Sequence, residues 1–570
     1  MTSLSKKIIN GRPYYYAREC KRVNGKPKIV WQKYLGSAED IVRRCEEQKP
    51  GAVIMPDEVS SIEFGASAAL WDLVRRTKIV EFIDKHVPQN EQAISIGLYM
   101  AIAAVNRCIA PCSKSKIGEW FQGTILRKIV DIEGGQLSSQ RFWNKMDVIT
   151  PEAIKQVEKD ITHHMVREFD IDLQRVLFDD TNFFTFIDSF NERASLAQRG
   201  KSKEGRKSLR LVGLALLVSA DSHVPLFHQT VPGNQHAAKT FKNVIPELIQ
   251  RYKDVSKGIE HVTIVFDKGN NSKENLSALK ELESPYHFVG SLVPTQHEDL
   301  LKITSRHFRS LDSDGLTGVK SHRVTKNVFG VERTVIIAFN QELFDTQTKT
   351  LKREIKKQTK QLIDLQGRLQ KRQAGSMKGI SPTSQGVESQ VGDILKGRHM
   401  KALFTVKINE KCGHPVLSYR FNDSEWSRLQ KTLLGKTIIF TDNADWSDAE
   451  IINTYRAQHH IEAAFRLAKS PYCVSIRPQY HWTDQKIEVH VFYCVLAITI
   501  CSLLQRELKK KGIQQSIDSI LEDLKKMDEI TMLFPPTQAG QEPQMKQKLS
   551  KMSPRQQLLF DALDLQRFVS

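Results

Sequence analysis

The chain lacks any run of about 18 or more apolar residues, the length a helix needs to cross a bilayer. Its longest candidate, 489–504, is broken by His490 and followed by Gln505, so it reads as a buried helix rather than a span. The opening residues, MTSLSKKIIN, lack the apolar core of a secretory signal, and the expected setting is a cytoplasm with no membrane partner. Cysteine is sparse: eight in 570 residues, with no CxxC pair and no zinc-finger spacing. That excludes a disulfide framework and a structural zinc site, and predicts reduced, mostly packed thiols. Cys412 and His414 are the nearest thing to a ligand pair, yet no second pair accompanies them. His163-His164 and His459-His460 are adjacent, so on a helix they point apart and chelate poorly. Acidic residues are also short, 65 against 84 Lys plus Arg, which leaves a net charge of +19 and favours a polyanionic partner, nucleic acid before membrane.

A chain of this length holds about three or four structural units. Residues 1–50 form a basic β-hairpin unit around Asn24-Gly25, a strong hairpin signal. There Arg12, Lys21, Arg22, Lys26, Lys28 and Lys33 interleave with Tyr14, Tyr15, Tyr16 and Trp31, which suits either phosphate contact with stacking or an ordinary solvated face. Residues 60–170 are all-helical, about five helices punctuated by Pro88, Pro111, Gly134-Gly135 and Pro151, and are the expected DNA-binding domain. Near the Pro111 turn Arg107, Lys114 and Lys116 could contact DNA, although solvated turn charges are the commoner outcome. Residues 171–292 turn to strands alternating with helices, an α/β texture. Residues 293–442 read as a mainly β insertion carrying a long basic helix over 341–372, whose Leu351, Ile355, Leu362, Leu365 and Leu369 make an apolar seam. A mobile Gly- and Ser-rich loop is predicted over 373–392, a return to the α/β core over 443–510, and a polar C-terminal tail over 511–570.

Two strands end in acid: RVLFD at Asp179 and TIVFD at Asp267. Charge directly after a buried strand stands at the rim of the sheet, where ligands bind in open α/β folds. The stretch 455–469, YRAQHHIEAAFRLAK, supplies a third. On one helix Tyr455, Glu462 and Lys469 recur every seven residues along a polar ridge, with Arg466 one turn after Glu462. Ala457, Ile461, Ala464, Phe465 and Ala468 form its apolar seat. Taken alone, this is most simply a surface ion pair of small worth; two strand-end aspartates and a basic chain make it a candidate third arm of one site.

With those residues in view, the chain resembles the DDE transposases of insertion sequences. More narrowly it resembles the IS-four superfamily, with its Tyr-x2-Arg-x3-Glu-x6-Lys signature. Tyr455, Glu462 and Lys469 stand at the right intervals, and Gln458 occupies the Arg position, with Arg456 and Arg466 nearby. FDDTNFF, PGNQHAAKTF, VFDKGNNSKENL, IEAAFRLAKS, NRCIAPCSK and IRPQYH also match, as does the opening YYYARECKRVNGKPKIVWQKYLG. The sixteen-thirty-four group, whose members carry a long insertion before the Glu, looks most similar. Its Asp-x-Thr pattern selects Asp179 over Asp180, which strand alternation sends to the opposite face. The resemblance implies an RNase H-like α/β catalytic core, a mixed sheet with flanking helices, interrupted by the insertion and preceded by the hairpin unit and the all-α domain. It implies Asp179, Asp267 and Glu462 as catalytic residues and ligands of two Mg²⁺ (or Mn²⁺) ions. Tyr455, Arg466 and Lys469, with Gln458, Thr181, Asn182 and Arg477, would contact DNA. The implied partners are terminal inverted repeats and target DNA, held by a homodimer with paired ends on a prokaryotic nucleoid.

Three functional readings follow: a transposase that cleaves terminal repeats and joins 3′ ends to target DNA; a catalytically silent, transposase-derived DNA-binding protein; or an RNase H-like nuclease without strand transfer.

Overall fold

The computed structural model describes residues 2–23, 26–47, 55–89, 94–132, 134–202, 208–281, 286–311, 315–377, 379, 382–477, 479–536 and 542–569. The chain forms two compact units, Met1–Glu63 with Met527–Met552, and Phe64–Lys526 with Ser553–Val569.

In the first unit, β1 (Thr2–Ile9), β2 (Arg12–Val23) and β3 (Lys26–Gly36) make an antiparallel sheet in that order. Val23 pairs with Lys26 across the expected hairpin, whose turn residues Asn24-Gly25 lie outside the described residues. A further strand, β4 (Glu58–Glu63), closes the segment.

Among the described residues, the second unit begins with seven α-helices, from Gly65–Arg76 to Pro151–Phe169, more than the five or so that periodicity suggests because short turns such as Leu126–Ile129 are helical too. Its centre is a ten-stranded mixed sheet. Five strands lead: β5 (Arg175–Phe184), the short β6 (Gln198–Arg199), β7 (Arg210–Ser219), β8 (Pro225–Pro232) and β9 (Val262–Phe266). They are followed by β10 (Tyr286–Ser291), β11 (Arg309–Ser310), β12 (Val319–Val328) and β13 (Val331–Asn340). Strands β7 and β9 read RLVGLALLVS and VTIVF and are buried almost throughout, as apolar, β-branched-rich strands covered on both faces must be. Strand β5 lies between β7, antiparallel, and β9, parallel; β10 continues parallel to β9. This arrangement is consistent with an RNase H-like core. Helix Asp484–Lys510 is apolar and long enough to cross a membrane, but its apolar stretch is buried inside this unit, as expected.

The insertion is narrower than 293–442. Strands β12 and β13 belong to the same sheet, because β13 pairs with β16 (Lys436–Thr441), which pairs with β10. What is inserted between the neighbours β13 and β16 is a helical subdomain with a hairpin, β14 (Phe404–Lys411) and β15 (His414–Phe421). Its long helix is Gln341–Gln373, and Leu362, Leu365 and Leu369 bury themselves against Val387, Leu403 and Leu417 in a core of its own. The loop predicted over 373–392 holds instead a helix, Ser384–Ile394, capped by the Thr383 side chain. Val387 and Val391, four apart, give that helix its buried face; Lys378, Ile380 and Ser381 lie outside the described residues.

Nor is 511–570 a polar tail. Ile517, Ile520, Leu521 and Leu524 seat a short helix, and Ser553 with Gln556 forms a capping box for another, Pro554–Ala562. Between them β17 (Asp528–Phe534) pairs with both β4 and β18 (Gln544–Leu549), completing the first unit's second sheet.

One turn shows how tightly the central sheet constrains its loops. Gly233, directly after β8, lies so close to β7 that an added Cβ would overlap the Leu211 carbonyl. Gly233→Ala should therefore lower stability by about 1–3 kcal/mol, read as a lower urea midpoint.

Candidate active site

Strand register sets the first pair of carboxylates. Phe178 on β5 pairs in parallel with Phe266 on β9, and the next residue on each strand is Asp179 or Asp267. Asp267 therefore leaves the end of β9 beside Asp179, which stays within β5 opposite Leu216, on strands spaced about 4.8 Å apart. Asp179 is half-buried, whereas Asp180 is buried at 8% exposure, as alternation along β5 requires. Asp267 opens a short turn, Lys268–Asn270, held from below by asparagines. The Asn275 amide donates to the Asn270 carbonyl (2.7 Å) and the Ala238 carbonyl (3.0 Å), and the Asn271 amide to the Ser291 carbonyl (2.5 Å). Much of the KGNNSKEN motif is thus the scaffold that aims Asp267.

The third acid arrives on two helices, not one. Helix Asp448–Arg456, started by a Ser447–Glu450 capping box, ends just after Tyr455; helix His459–Lys469 carries Glu462. Between them the backbone tightens: Gln458 N–H donates to the Tyr455 carbonyl (3.2 Å), His460 to Ala457 (2.8 Å) and Ile461 to Gln458 (3.1 Å). These i→i+3 bonds wind the chain more tightly than an α-helix, so Tyr455 and Glu462 do not share the straight ridge that the sequence predicts. The apolar seat survives after the break: Ile461, Ala464, Phe465 and Ala468 are buried, while Glu462 and Arg466 are exposed.

Lys469 fixes where this helix lies. Its Nζ donates to Thr181 Oγ1 (2.6 Å) and stands 5.7 Å from the Phe183 ring centre. Asp179, Thr181 and Phe183 alternate onto one face of β5, so the Glu462 helix covers the Asp179 face. Tyr455 completes the link. Its side chain is buried beside Asp267 and Ser291, and Glu462 lies within electrostatic range. Burial drives the Tyr455 phenol up to about 12, the two carboxylates push the same way, and Ser291 opposes them. At neutral pH the hydroxyl therefore keeps its proton. Tyr455→Phe should fold normally yet reduce DNA cleavage about tenfold, the share of one lost orienting polar contact, with no new pH dependence between about pH 7 and 9; initial rates at several pH values check this.

Other residues named from the sequence have more local partners. The Asn182 amide donates to the Lys201 (3.2 Å) and Gly233 (3.4 Å) carbonyls, tying the loop after β8 to β5. Arg477 donates to the Lys469 carbonyl (2.7 Å) and lies 4.7 Å from the Phe184 ring centre, bracing the C-terminus of the Glu462 helix. Gln458 stands at the helix break, and neighbouring Arg456 is committed to the Gly315 carbonyl (2.8 Å). Ser291 was not legible as a site residue: its hydroxyl donates to Asp267 (3.4 Å), but it stands on another strand and carries no motif of its own. Arg107 and Lys114, for which the sequence allows either DNA contact or solvated turn charges, line a cavity.

Among the described residues no three His, Cys, Asp or Glu side chains already stand together as a metal site. The donor set nevertheless fits a hard divalent cation: two carboxylates side by side, one within β5 and one at the end of β9, and a third exposed on the covering helix, all oxygen donors.

Residues 174–500, more than half of the chain, match the family model described as Transposase DDE domain, and the matched span contains all three acids. The chain belongs to the DDE transposase family. Enzymes of this family generally cleave DNA and transfer strands with divalent metal. No curated protein matches the chain. Among solved structures, the chain is similar to a piggyBac transposase synaptic complex with hairpin DNA, determined by cryo-EM, at 8% identity, 82% coverage of each chain and a TM-score of 0.34. That likeness is too distant to add to the family match.

Proposed function

We propose that this DDE-family chain is the transposase of a prokaryotic insertion sequence of the IS-four superfamily, in its sixteen-thirty-four branch. It binds the element's terminal inverted repeats as a homodimer, cleaves them, and joins the 3′ ends to target DNA. The observation that carries this reading is the link from strand register to helix: Asp179 beside Asp267 on parallel strands, and Tyr455 buried beside Asp267 within range of Glu462. Two Mg²⁺ or Mn²⁺ ions held by Asp179, Asp267 and Glu462 would activate the attacking oxygen and offset charge on the scissile phosphate. The chain's own groups do the positioning. Ser291 donates to Asp267 and the protonated Tyr455 stands beside it, so both support its carboxylate before substrate arrives. Lys469 locks the helix to β5 through Thr181, which holds Glu462 over the Asp179 face. Arg466, exposed one turn beyond Glu462, is placed to meet a DNA phosphate.

The test supplies purified protein with Mg²⁺, a plasmid carrying the gene's own flanking sequences, and a target plasmid. Excised ends joined to target support the proposal. Cleavage without joining would assign a nuclease, and binding without cleavage a silent DNA-binding protein.

A further inference from the structure

A cavity of about 650 Å³ opens between the helix Ile96–Ile109, the turn that follows it, and the segment after the Glu462 helix. Arg107, Lys114, Trp143, Phe186, Tyr480 and His481 are among the residues that line it, and none of the lining residues is acidic. Arg107 is 9% exposed and makes no ion pair among the described residues; its guanidinium donates to the Ser475 carbonyl (3.2 Å) and the Tyr493 hydroxyl (3.5 Å). Lys114 likewise has no carboxylate partner among them, and its Nζ lies 5.3–5.9 Å from the ring centres of Phe142, Trp143 and Tyr493. Loss of solvation, then the Arg107 charge, drives the Lys114 amine down to about 7. A buried guanidinium with no counter-charge, beside an amine whose charge burial suppresses, is destabilising unless something anionic enters and restores the charge.

The histidines supply a third donor. His490 Nε2 contacts the Ile476 carbonyl (2.9 Å) and so carries a proton, which leaves its Nδ1 to accept from the Tyr493 hydroxyl (2.6 Å). His481 Nε2 lies 3.0 Å from Lys114 Nζ and 3.3 Å from His490 Nδ1, and burial, with the Lys114 and Arg107 charges, holds His481 neutral. Its Nδ1 is buried without a hydrogen-bond partner on a residue only 4% exposed, and in the tautomer in which Lys114 donates to Nε2 this nitrogen carries the proton. Beside these donors the wall is aromatic, with Phe186 and Tyr480 stacked at 5.3 Å and 20°.

From Arg107, Lys114, His481 and the Phe186–Tyr480 wall we infer that this cavity binds a nucleoside phosphate, its phosphate on the three donors and its base or sugar against the aromatic rings. The volume suits one nucleotide. Phe184, which also lines the cavity, is five residues beyond Asp179 on β5, so the site lies about 17 Å along that strand from the first catalytic aspartate. Phe184 faces the side of β5 opposite Asp179, so in the transposase reading, on which this assignment rests for its natural ligand, the cavity takes a DNA nucleotide outside the catalytic face.

Calorimetric titration of the full chain in EDTA, where no cleavage occurs, tests this with 5′-phosphorylated trithymidylate, its 5′-hydroxyl counterpart, and thymidine 5′-monophosphate. The phosphorylated trinucleotide should bind saturably, and Lys114→Met, which keeps the buried volume, should weaken it at least about tenfold. Tyr480→Ala, at a position 65% exposed, should weaken it by about tenfold as well. Equal binding of the monophosphate supports the site with a free nucleotide as its source; binding of the trinucleotide alone supports it with a strand. Asp267→Asn should bind like the wild type, which separates this site from the catalytic reading. No saturable binding of any probe, or unchanged affinity in both variants, overturns the assignment.

Discussion

Asp267→Asn is expected to abolish divalent-metal-dependent cleavage of a terminal-repeat duplex, by at least about 10³-fold, which corresponds to about 4 kcal/mol of barrier. The substitution is isosteric. Ser291 can still donate to the remaining amide oxygen, so the turn Lys268–Asn270 and the sheet beneath it should be undisturbed. What disappears is the negative charge at the end of β9. Gel analysis of cleavage, with a mobility-shift assay for end binding and a thermal melt for folding, separates these effects. Cleavage should vanish while binding and melting stay as in the wild type. Retained cleavage would remove Asp267 from the site.

The largest effect on stability should come from Glu158→Gln. Glu158, on helix Pro151–Phe169, is 5% exposed and pairs with His228 on β8 and with Arg251 on helix Ala237–Val255, so three elements meet at one carboxylate. Burial alone would raise its pKa, but the His228 and Arg251 charges outweigh that and hold it below the usual range. Arg251 also lies 4.7 Å from the Phe227 ring centre, so without Glu158 its charge is left against an apolar neighbour. Breaking a buried pair by removing one partner costs about 3–5 kcal/mol. The sign with pH follows from the depressed folded pKa. The contribution is fully present above the unfolded carboxylate value of about 4.3 and is lost as pH falls through the folded value. Urea unfolding should show the full gap between wild type and variant at pH 7, narrowing below about pH 4. A gap that is small at pH 7, or that widens in acid, would contradict this.

The parts of the site that lie on single elements were legible in the sequence. TIVFD announces a strand that ends in acid, whereas RVLFD marks the acid but not the strand end, because β5 runs on to Phe184; alternation alone separates Asp179 from Asp180. The interval from Tyr455 to Glu462 to Lys469 marks the covering helix, although the break at Gln458 does not show, because i→i+3 tightening leaves no mark in residue type or spacing. Ser291 was hidden for another reason: only the pairing of β10 with β9 brings it to Asp267. Pairings between distant segments hid the boundaries as well. Strand β13 pairs with β16 across the inserted subdomain, and β17 pairs with β4, setting Asp528 opposite Glu63. For Arg107 and Lys114 the sequence leaves DNA contact and solvated turn charges both open, because their burial comes from the Asp484–Lys510 helix, distant in sequence, packing against helix Ile96–Ile109.

The central claim, that Asp179, Asp267 and Glu462 form one metal-dependent cleavage site, is tested most directly by metal rescue. Asp267→Cys places a soft thiolate where an oxygen ligand stood, so Mg²⁺ should no longer support cleavage of the terminal-repeat duplex while Mn²⁺, which accepts sulfur more readily, should restore it. The wild type should cleave with either ion. Equal cleavage by the cysteine variant in Mg²⁺ and Mn²⁺, at the wild-type rate, would show that Asp267 holds no catalytic metal.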